Sequence, residues 1–349
     1  MALKTRQKSS PVVNVVLGQV ATHDLNSGPR YHGIRYICTI TKTAATGGFT
    51  SAQLADVLGL IAVNVNNSPV RTHLATELNA VQTKWHTNLA AKQYDGVAND
   101  LLTAVADVVA GGNTTRTTTW VLDLWLMDPS RDSYTSRQAF AWPTQWVNAA
   151  GQVVQQVAVQ IQLDVPANAG MATPIIRAEE TFDFVNGPYA KTITGANGLR
   201  TPDYTSNRIM PVTFWYRQPE TYAGTALVIK KFPFSVGSLQ QTTVFCQAGD
   251  DVGTMQVKIA NQIVFDRSKI SNDDDNQSFD WNPSYGAGTA GVNYLNADMF
   301  DCAFDYNDDP TTALPQAALS QLEYDVNLTQ AAAGNKTIYF VSQVYASAI

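Results

Sequence analysis

Charge is scarce in this sequence. Only 15% of its 349 residues are Asp, Glu, Lys or Arg, against a usual share of roughly 25%. The net charge of -6 and an isoelectric point near 5.2 exclude a body built to hold nucleic-acid phosphates. Polarity comes instead from Asn, Gln, Thr and Ser, which suits broad protein contacts with little charge to desolvate. Cysteine is scarce too. Cys38, Cys246 and Cys302 are too few and too odd for a disulfide framework, and each lies in an apolar, strand-like run, so buried free thiols are expected. Long apolar runs are missing. Val12 to Leu17 is short and broken by Asn14, and nothing approaches the ~18 residues of a spanning helix. Neither a signal segment nor a membrane span is therefore expected, and synthesis in a reducing cytoplasm follows. The opening stretch departs from the low charge, with Lys4, Arg6 and Lys8 ahead of Pro11. Residues 1–14 read as a basic arm, either simply solvated or touching anionic lipid or packaged genome.

Catalytic signatures are also absent. The four histidines, His23, His32, His73 and His86, have no partners at metal-ligand spacing, and none sits in H-E-x-x-H. There is no C-x-x-C, G-x-S-x-G, P-loop or G-x-G-x-x-G. Carboxylates cluster at Asp273, Asp274 and Asp275, and again at Asp305, Asp308 and Asp309 around Asn307. Alternating oxygens of Asp305, Asn307 and Asp309 could hold Ca²⁺, but the Gly and closing Glu of an EF-hand loop are missing, so solvated turns are expected. No carboxylate pair stands out as that of a glycosidase. No catalytic, cofactor or metal residue is assigned, and the chain is not expected to be an enzyme.

What the sequence does contain is the same β-rich order twice, over about 15–165 and 225–349. Each copy begins with a Gly turn and a strand that reaches a cysteine: Gly28 precedes Cys38 as Gly237 precedes Cys246. A hairpin with an Asn-containing turn follows, Ile61 to Leu74 in one and Met255 to Arg267 in the other. An Asp-bearing strand comes next, with Leu122, Asp123 and Leu124 opposite Phe300, Asp301 and Cys302. Then comes an Ala-x-Pro step, Ala141-Trp142-Pro143 and Ala313-Leu314-Pro315. Each copy closes on strict alternation. Val157, Val159, Ile161, Leu163 and Val165 alternate with polar residues in the first, and Leu322, Tyr324, Val326 and Leu328 in the second. Such alternation describes a sheet with one buried and one wet face.

Other segments are less regular. Thr50 to Gly59 reads as a capped helix, and Leu74 to Ala110, with Leu78, Val81, Trp85, Leu89, Leu101, Leu102, Val105, Val108 and Val109, reads as amphipathic helix. Together they predict a helical insertion over about 50–110. Pro166 to Gly224 reads as a long connection containing a strand-like run near Phe214. Residues 271–297 read as an ordered excursion whose Phe279, Trp281, Tyr285 and Tyr294 are candidate contact anchors.

The repeated elements resemble the double jelly roll major capsid proteins of tailless icosahedral viruses, above all bacterial viruses with a membrane beneath the shell. FPFSVGSLQQTTVF resembles the opening of a roll in that family. DCAFDY, ALPQAAL and LEYDVNLT resemble its closing strands, and RTHLATELNAV its insertion after the first hairpin. The resemblance implies an all-β fold of two tandem eight-stranded jelly-roll sandwiches, with helical insertions in the first. It places the first roll at 15–190 and the second at 191–349. It further implies a major capsid protein that forms trimeric, pseudo-hexagonal capsomers of an icosahedral virion shell. Its partners would be other copies of itself, neighbouring capsomers, and penton and other minor capsid proteins. Lys4, Arg6 and Lys8 would face an internal membrane or the genome.

Two other readings compete. A carbohydrate-binding or carbohydrate-active β-sandwich would need exposed aromatics lining a groove and, for cleavage, facing carboxylates. A viral spike or receptor-binding protein would be expected to show fibrous repeats, which this sequence lacks.

Overall fold

A computed structural model describes most of residues 5–347. The longer stretches outside the described residues are 44–56, 78–103, 127–140, 166–171, 184–190, 204–210, 272–298, 305–312 and 329–334. The chain divides into two compact units, the first running to Thr213 and the second from Phe214 to Ala346.

In the first unit eight strands build a jelly roll: β1 (Thr5–Lys8), β2 (Val20–Asp24), β3 (Arg30–Thr43), β4 (Leu58–Val65), β5 (Ser68–Leu74), β7 (Thr115–Trp125), β11 (Val157–Leu163) and β12 (Ile175–Asp183). They hydrogen-bond in the orders β1-β12-β3-β7 and β2-β11-β4-β5. Accessory strands are β6 (Ala104–Ala110), paired to β7, and β8 (Trp142–Pro143), paired to β3. A short pair, β9 (Trp146–Val147) and β10 (Val153–Val154), and a hairpin, β13 (Lys191–Thr194) and β14 (Arg200–Asp203), complete the set. In the second unit the eight are β15 (Pro211–Ala223), β16 (Leu227–Lys231), β17 (Ser238–Phe245), β18 (Val252–Ile259), β19 (Gln262–Ser268), β20 (Met299–Ala303), β21 (Leu322–Leu328) and β22 (Asn335–Ser347). Their orders are β15-β22-β17-β20 and β16-β21-β18-β19. When the strands of each roll are numbered from one to eight along the chain, both rolls read 1-8-3-6 and 2-7-4-5. The repeat seen in the sequence is thus a repeat of topology.

Local chemistry explains the correspondence. The hairpins β4–β5 and β18–β19 turn on two residues with positive φ, Asn66 and Asn67 at 47° and 66°, and Ala260 and Asn261 at 50° and 66°. This is the left-handed pair that matches the twist of a two-residue hairpin and that Asn tolerates well. Both Ala-x-Pro steps pair with the third strand of their roll: Trp142 lies opposite Tyr31, and Leu314 bridges Leu239. Inward residues of the seventh strands are buried, namely Val157, Val159, Ile161 and Leu163 in β11, and Leu322, Tyr324, Val326 and Leu328 in β21. Around β21 the second core gathers Val257, Phe300, Cys302, Ile338 and Phe340.

Several expectations are corrected. Ala104–Ala110 is a strand and not the end of a helix. Its β-branched valines suit a ladder as well as a helix face, and pairing with Thr115–Trp125 satisfies its backbone. Gly59 does not stop a helix but lies inside β4, where a Cβ would run into the Asp164 carboxylate. The remainder of that insertion, from Thr50 to Asp56 and from Leu78 to Leu102, lies outside the described residues. The basic arm is partly ordered: Thr5–Lys8 pairs antiparallel with β12, setting Arg6 opposite Thr181 and Lys8 opposite Glu179, while Lys4 lies outside. The alternating strand does not close the first roll, because β12, within the stretch read as a connection, pairs with both β1 and β3. Its Ile176, Ala178 and Phe182 alternate as a core strand should, and only the polar Glu180 in the same phase interrupts the pattern. The run near Phe214 belongs to β15. Val165 is 70% exposed, two residues beyond the end of β11 at Leu163.

Candidate assembly surfaces and buried polar clusters

A group of titratable side chains lies inside the first roll. His23 on β2 extends from one sheet toward Tyr36 and Tyr31 on β3 and Glu180 on β12 in the other. Its Nδ1 is 3.1 Å from the Tyr36 hydroxyl. Its Nε2 lies 3.1 Å from Glu180 Oε1, within ion-pair range though not aligned for a straight hydrogen bond. The Tyr31 hydroxyl donates to Glu180 Oε2 at 3.2 Å and accepts from the Asn26 backbone N–H at 3.1 Å. Both His23 and Glu180 have 0% exposure. Burial, reinforced by the Glu180 carboxylate, pushes the Tyr31 and Tyr36 hydroxyls well above the usual phenol range. Burial alone lifts the Cys38 thiol to about 12. With both His23 and Glu180 fully buried, this arrangement ties the two sheets together.

A second cluster surrounds Arg71 of β5, which is 1% exposed. Its guanidinium donates to the backbone carbonyls of Trp125 at 2.7 Å and Leu126 at 3.1 Å, and sits 5.2 Å from the ring centre of Trp142. Arginine suits this position because its fork satisfies two carbonyls while its flat face stacks on the indole. His32 and His73 are buried as well, and the His32 carbonyl accepts from Leu126 N–H. His86 lies outside the described residues.

Neutral groups do the equivalent work in the second roll. Thr242 of β17 bonds the Tyr324 hydroxyl at 2.7 Å and Ser342 of β22 at 3.0 Å, while Gln241 donates to Gln343 at 3.3 Å. On the far side of β21, Lys258 pairs with Asp325. Cys38 and Cys302 are buried free thiols, as expected, and Cys246 is only half-buried.

Outer surfaces carry few large apolar side chains. One group, Val13, Val16, Val20 and Val165, is exposed near Gly18, whose positive φ of 79° and 2.6 Å bond to the Leu163 carbonyl hold the chain against the end of β11. Others among the described residues are Ile175 at the start of β12, 58% exposed, and the doublet Ile263 and Val264 on β19, 53% and 49% exposed. Arg35 and Asp123 form a two-pronged pair at 2.7 and 2.8 Å across β3 and β7.

Among the described residues there is no cluster of metal-ligating side chains, and no helix is long and apolar enough to cross a membrane. Asp273–Asp275, Asp305, Asn307, Asp308, Asp309 and the anchors Phe279, Trp281, Tyr285 and Tyr294 lie outside them. His23, Glu180 and Arg71 were not singled out from sequence for these contacts. A signal existed for His23 and Glu180, each a titratable residue standing in phase with the apolar members of its strand, but not for Arg71, whose phase holds only Pro69 and His73.

No protein-family model matches the sequence, and no curated protein matches it. Solved structures match from end to end. The chain is similar to the major capsid protein P2 from bacteriophage PM2 at 13% identity and a TM-score of 0.60, with 99% of each chain covered. Against the major capsid protein of STIV, Sulfolobus Turreted Icosahedral Virus, identity is 11% and the TM-score 0.64, covering 100% of this chain and 97% of that one. The PBCV-1 virus capsid aligns at 10% identity with a TM-score of 0.57, covering 99% and 94%. At such identities the likeness is one of fold: this chain is a double jelly roll, an architecture it shares along its whole length with capsid proteins of three viruses.

Proposed function

We propose that this chain is a major capsid protein, the repeated subunit of an icosahedral virion shell. The observation that carries the reading is the end-to-end agreement of both rolls with viral capsid proteins, which covers 99% or more of this chain in each comparison. Its low charge is consistent with a subunit that spends its working life covered by neighbours. The chain acts structurally and not as an enzyme. In support, the His23–Glu180 cluster is buried between sheets. The working unit is a homotrimer, joined in the shell by neighbouring capsomers and by penton and other minor capsid proteins. Contact with an internal membrane or genome runs through Lys4, Arg6 and Lys8, two of which belong to strand β1.

Light scattering across dilution tests the unit. A mass three times the 37.9 kDa chain is expected at micromolar concentration, and a monodisperse monomer at every concentration would count against the reading. Electron microscopy of the source material tests the class. Icosahedral particles with this chain as their dominant protein are expected, and particles that lack it would overturn the proposal.

A further inference from the structure

The first strands of the two rolls are held by different means. β15 runs for 13 residues and buries Phe214, Trp215 and Tyr222. Its counterpart β1 has four residues, Thr5-Arg6-Gln7-Lys8, and none of them is apolar. Such a strand has nothing to give the core. Its backbone pairs with β12 over four residue pairs, and a short edge segment without apolar anchors opens at far lower cost than the body of a fold.

Charge supplies a further hold. The register sets Lys8 opposite Glu179 on β12, Glu179 opposite Arg35 on β3, and Arg35 opposite Asp123 on β7. The row therefore alternates in sign across four neighbouring strands, and opposite charges placed across a ladder stabilise it where like charges oppose it. Its inner end is fixed, since Arg35 gives both prongs to Asp123 at 2.7 and 2.8 Å. Glu179, Arg35 and Asp123 alone leave the row with an excess negative charge, and Lys8 is the member that balances it. Arg177, two residues along β12, is exposed and stands opposite Ile37, outside the row. Arg6 stands opposite the uncharged Thr181.

We infer that β1 is a releasable strap, fastened to the edge of β12 by the charge of Lys8 set against Glu179. This fastening belongs to the chain itself and does not depend on the capsid reading. Where that reading holds, the strap regulates the arm. A lysine turned to an anionic partner no longer balances Glu179, so the arm contact proposed above competes with docking of the strap.

Hydrogen exchange of the full-length protein over a sodium chloride series from roughly 0.01 to 1 M tests this, with the amides of β11 as internal reference. Exchange of Thr5–Lys8 is expected to rise about fivefold across the series, as screening weakens the pair, while β11 stays unmoved. Lys8→Gln is expected to speed exchange at low salt by a similar factor and to remove the salt dependence, and Lys8→Glu to speed it further. Arg6→Gln should have much the smaller effect. Circular dichroism checks that the rolls remain folded, and if a variant fails to fold the salt series on the parent decides alone. Exchange of Thr5–Lys8 that ignores salt overturns the inference, and so does Arg6→Gln acting as strongly as Lys8→Gln. Both results leave the capsid reading standing, because light scattering reads assembly separately.

Discussion

In the first roll the space between the sheets holds His23, Tyr31, Tyr36 and Glu180; in the second it holds Thr242, Ser342 and Tyr324. The positions correspond closely. Tyr36 and Thr242 stand on the third strands, Glu180 and Ser342 on the eighth, and each pair is reached by one side chain from the facing sheet, His23 or Tyr324. The topology therefore requires only that these inward polar groups be satisfied, by ionisable partners or by hydroxyls. The choice still matters, because a buried carboxylate and imidazole are far costlier to leave unpaired than a hydroxyl.

The most severe way to break the comparison ignores the polar ties and attacks the apolar frame common to both rolls. Ile161→Asp and Val326→Asp each place a charge with no partner in a sealed core, and each is expected to prevent folding, seen as lost soluble protein and lost circular dichroism. Substitution within the ties should separate the rolls. Glu180→Ala removes the carboxylate that faces His23 and accepts from Tyr31 and is expected to cost about 3–5 kcal/mol, whereas Thr242→Val should cost about 1–2 kcal/mol. Urea unfolding of the two variants reads the difference, and equal costs would show that the ionisable tie is no more demanding than the hydroxyl one.

Gly237 opens the third strand of the second roll at a φ of 79°, and a Cβ there would run into the Tyr345 carbonyl. Gly237→Ala is expected to lower stability by more than about 2 kcal/mol, measured by the urea midpoint.

Alkaline titration sharpens the contrast in another way. The native first roll keeps the Cys38 proton up to about 12 and holds the Tyr31 and Tyr36 protons well beyond the ordinary phenol range. The unfolded chain releases them near the ordinary thiol and phenol values. Above roughly pH 9 the unfolded state thus binds fewer protons, and stability falls as pH rises, by about 1.4 kcal/mol per pH unit for each group. The second roll carries the same liability through Tyr324, also raised by burial. Tyr36→Phe and Tyr324→Phe should each flatten the decline, and an unchanged slope in either would remove that hydroxyl from the account. The smallest effect expected is a gain. Ala260 occupies a left-handed position that its counterpart Asn66 fills more easily, so Ala260→Gly should raise the thermal midpoint slightly, by about 0.5–1 kcal/mol of stability.

Much of this fold is legible in the letters. The Asn-bearing hairpins, the Ala-x-Pro steps and the alternation of β11 and β21 each follow from preferences that act over a few residues, and each has its place in the structure. The misreadings share a cause. Val105, Val108 and Val109 fit a helix face as well as a strand, and only the presence of Thr115–Trp125 alongside resolves them. Thr5–Lys8 looks like a solvated arm because its partner, β12, lies over 160 residues away in sequence. β12 stands between stretches rich in turn residues, ANAGMATP and NGPYAKTITGANG, which make the whole of Pro166–Gly224 read as a connection.

By itself the sequence determined the architecture class, the duplication and most strand positions, because period-two alternation and turn chemistry are local properties. The tertiary structure alone decided which strands became neighbours, how His23 met Glu180 across a gap between sheets, and why β5 is covered while β19 lies bare. Those outcomes depend on what surrounds each side chain once distant segments meet, and no short stretch of sequence carries that information.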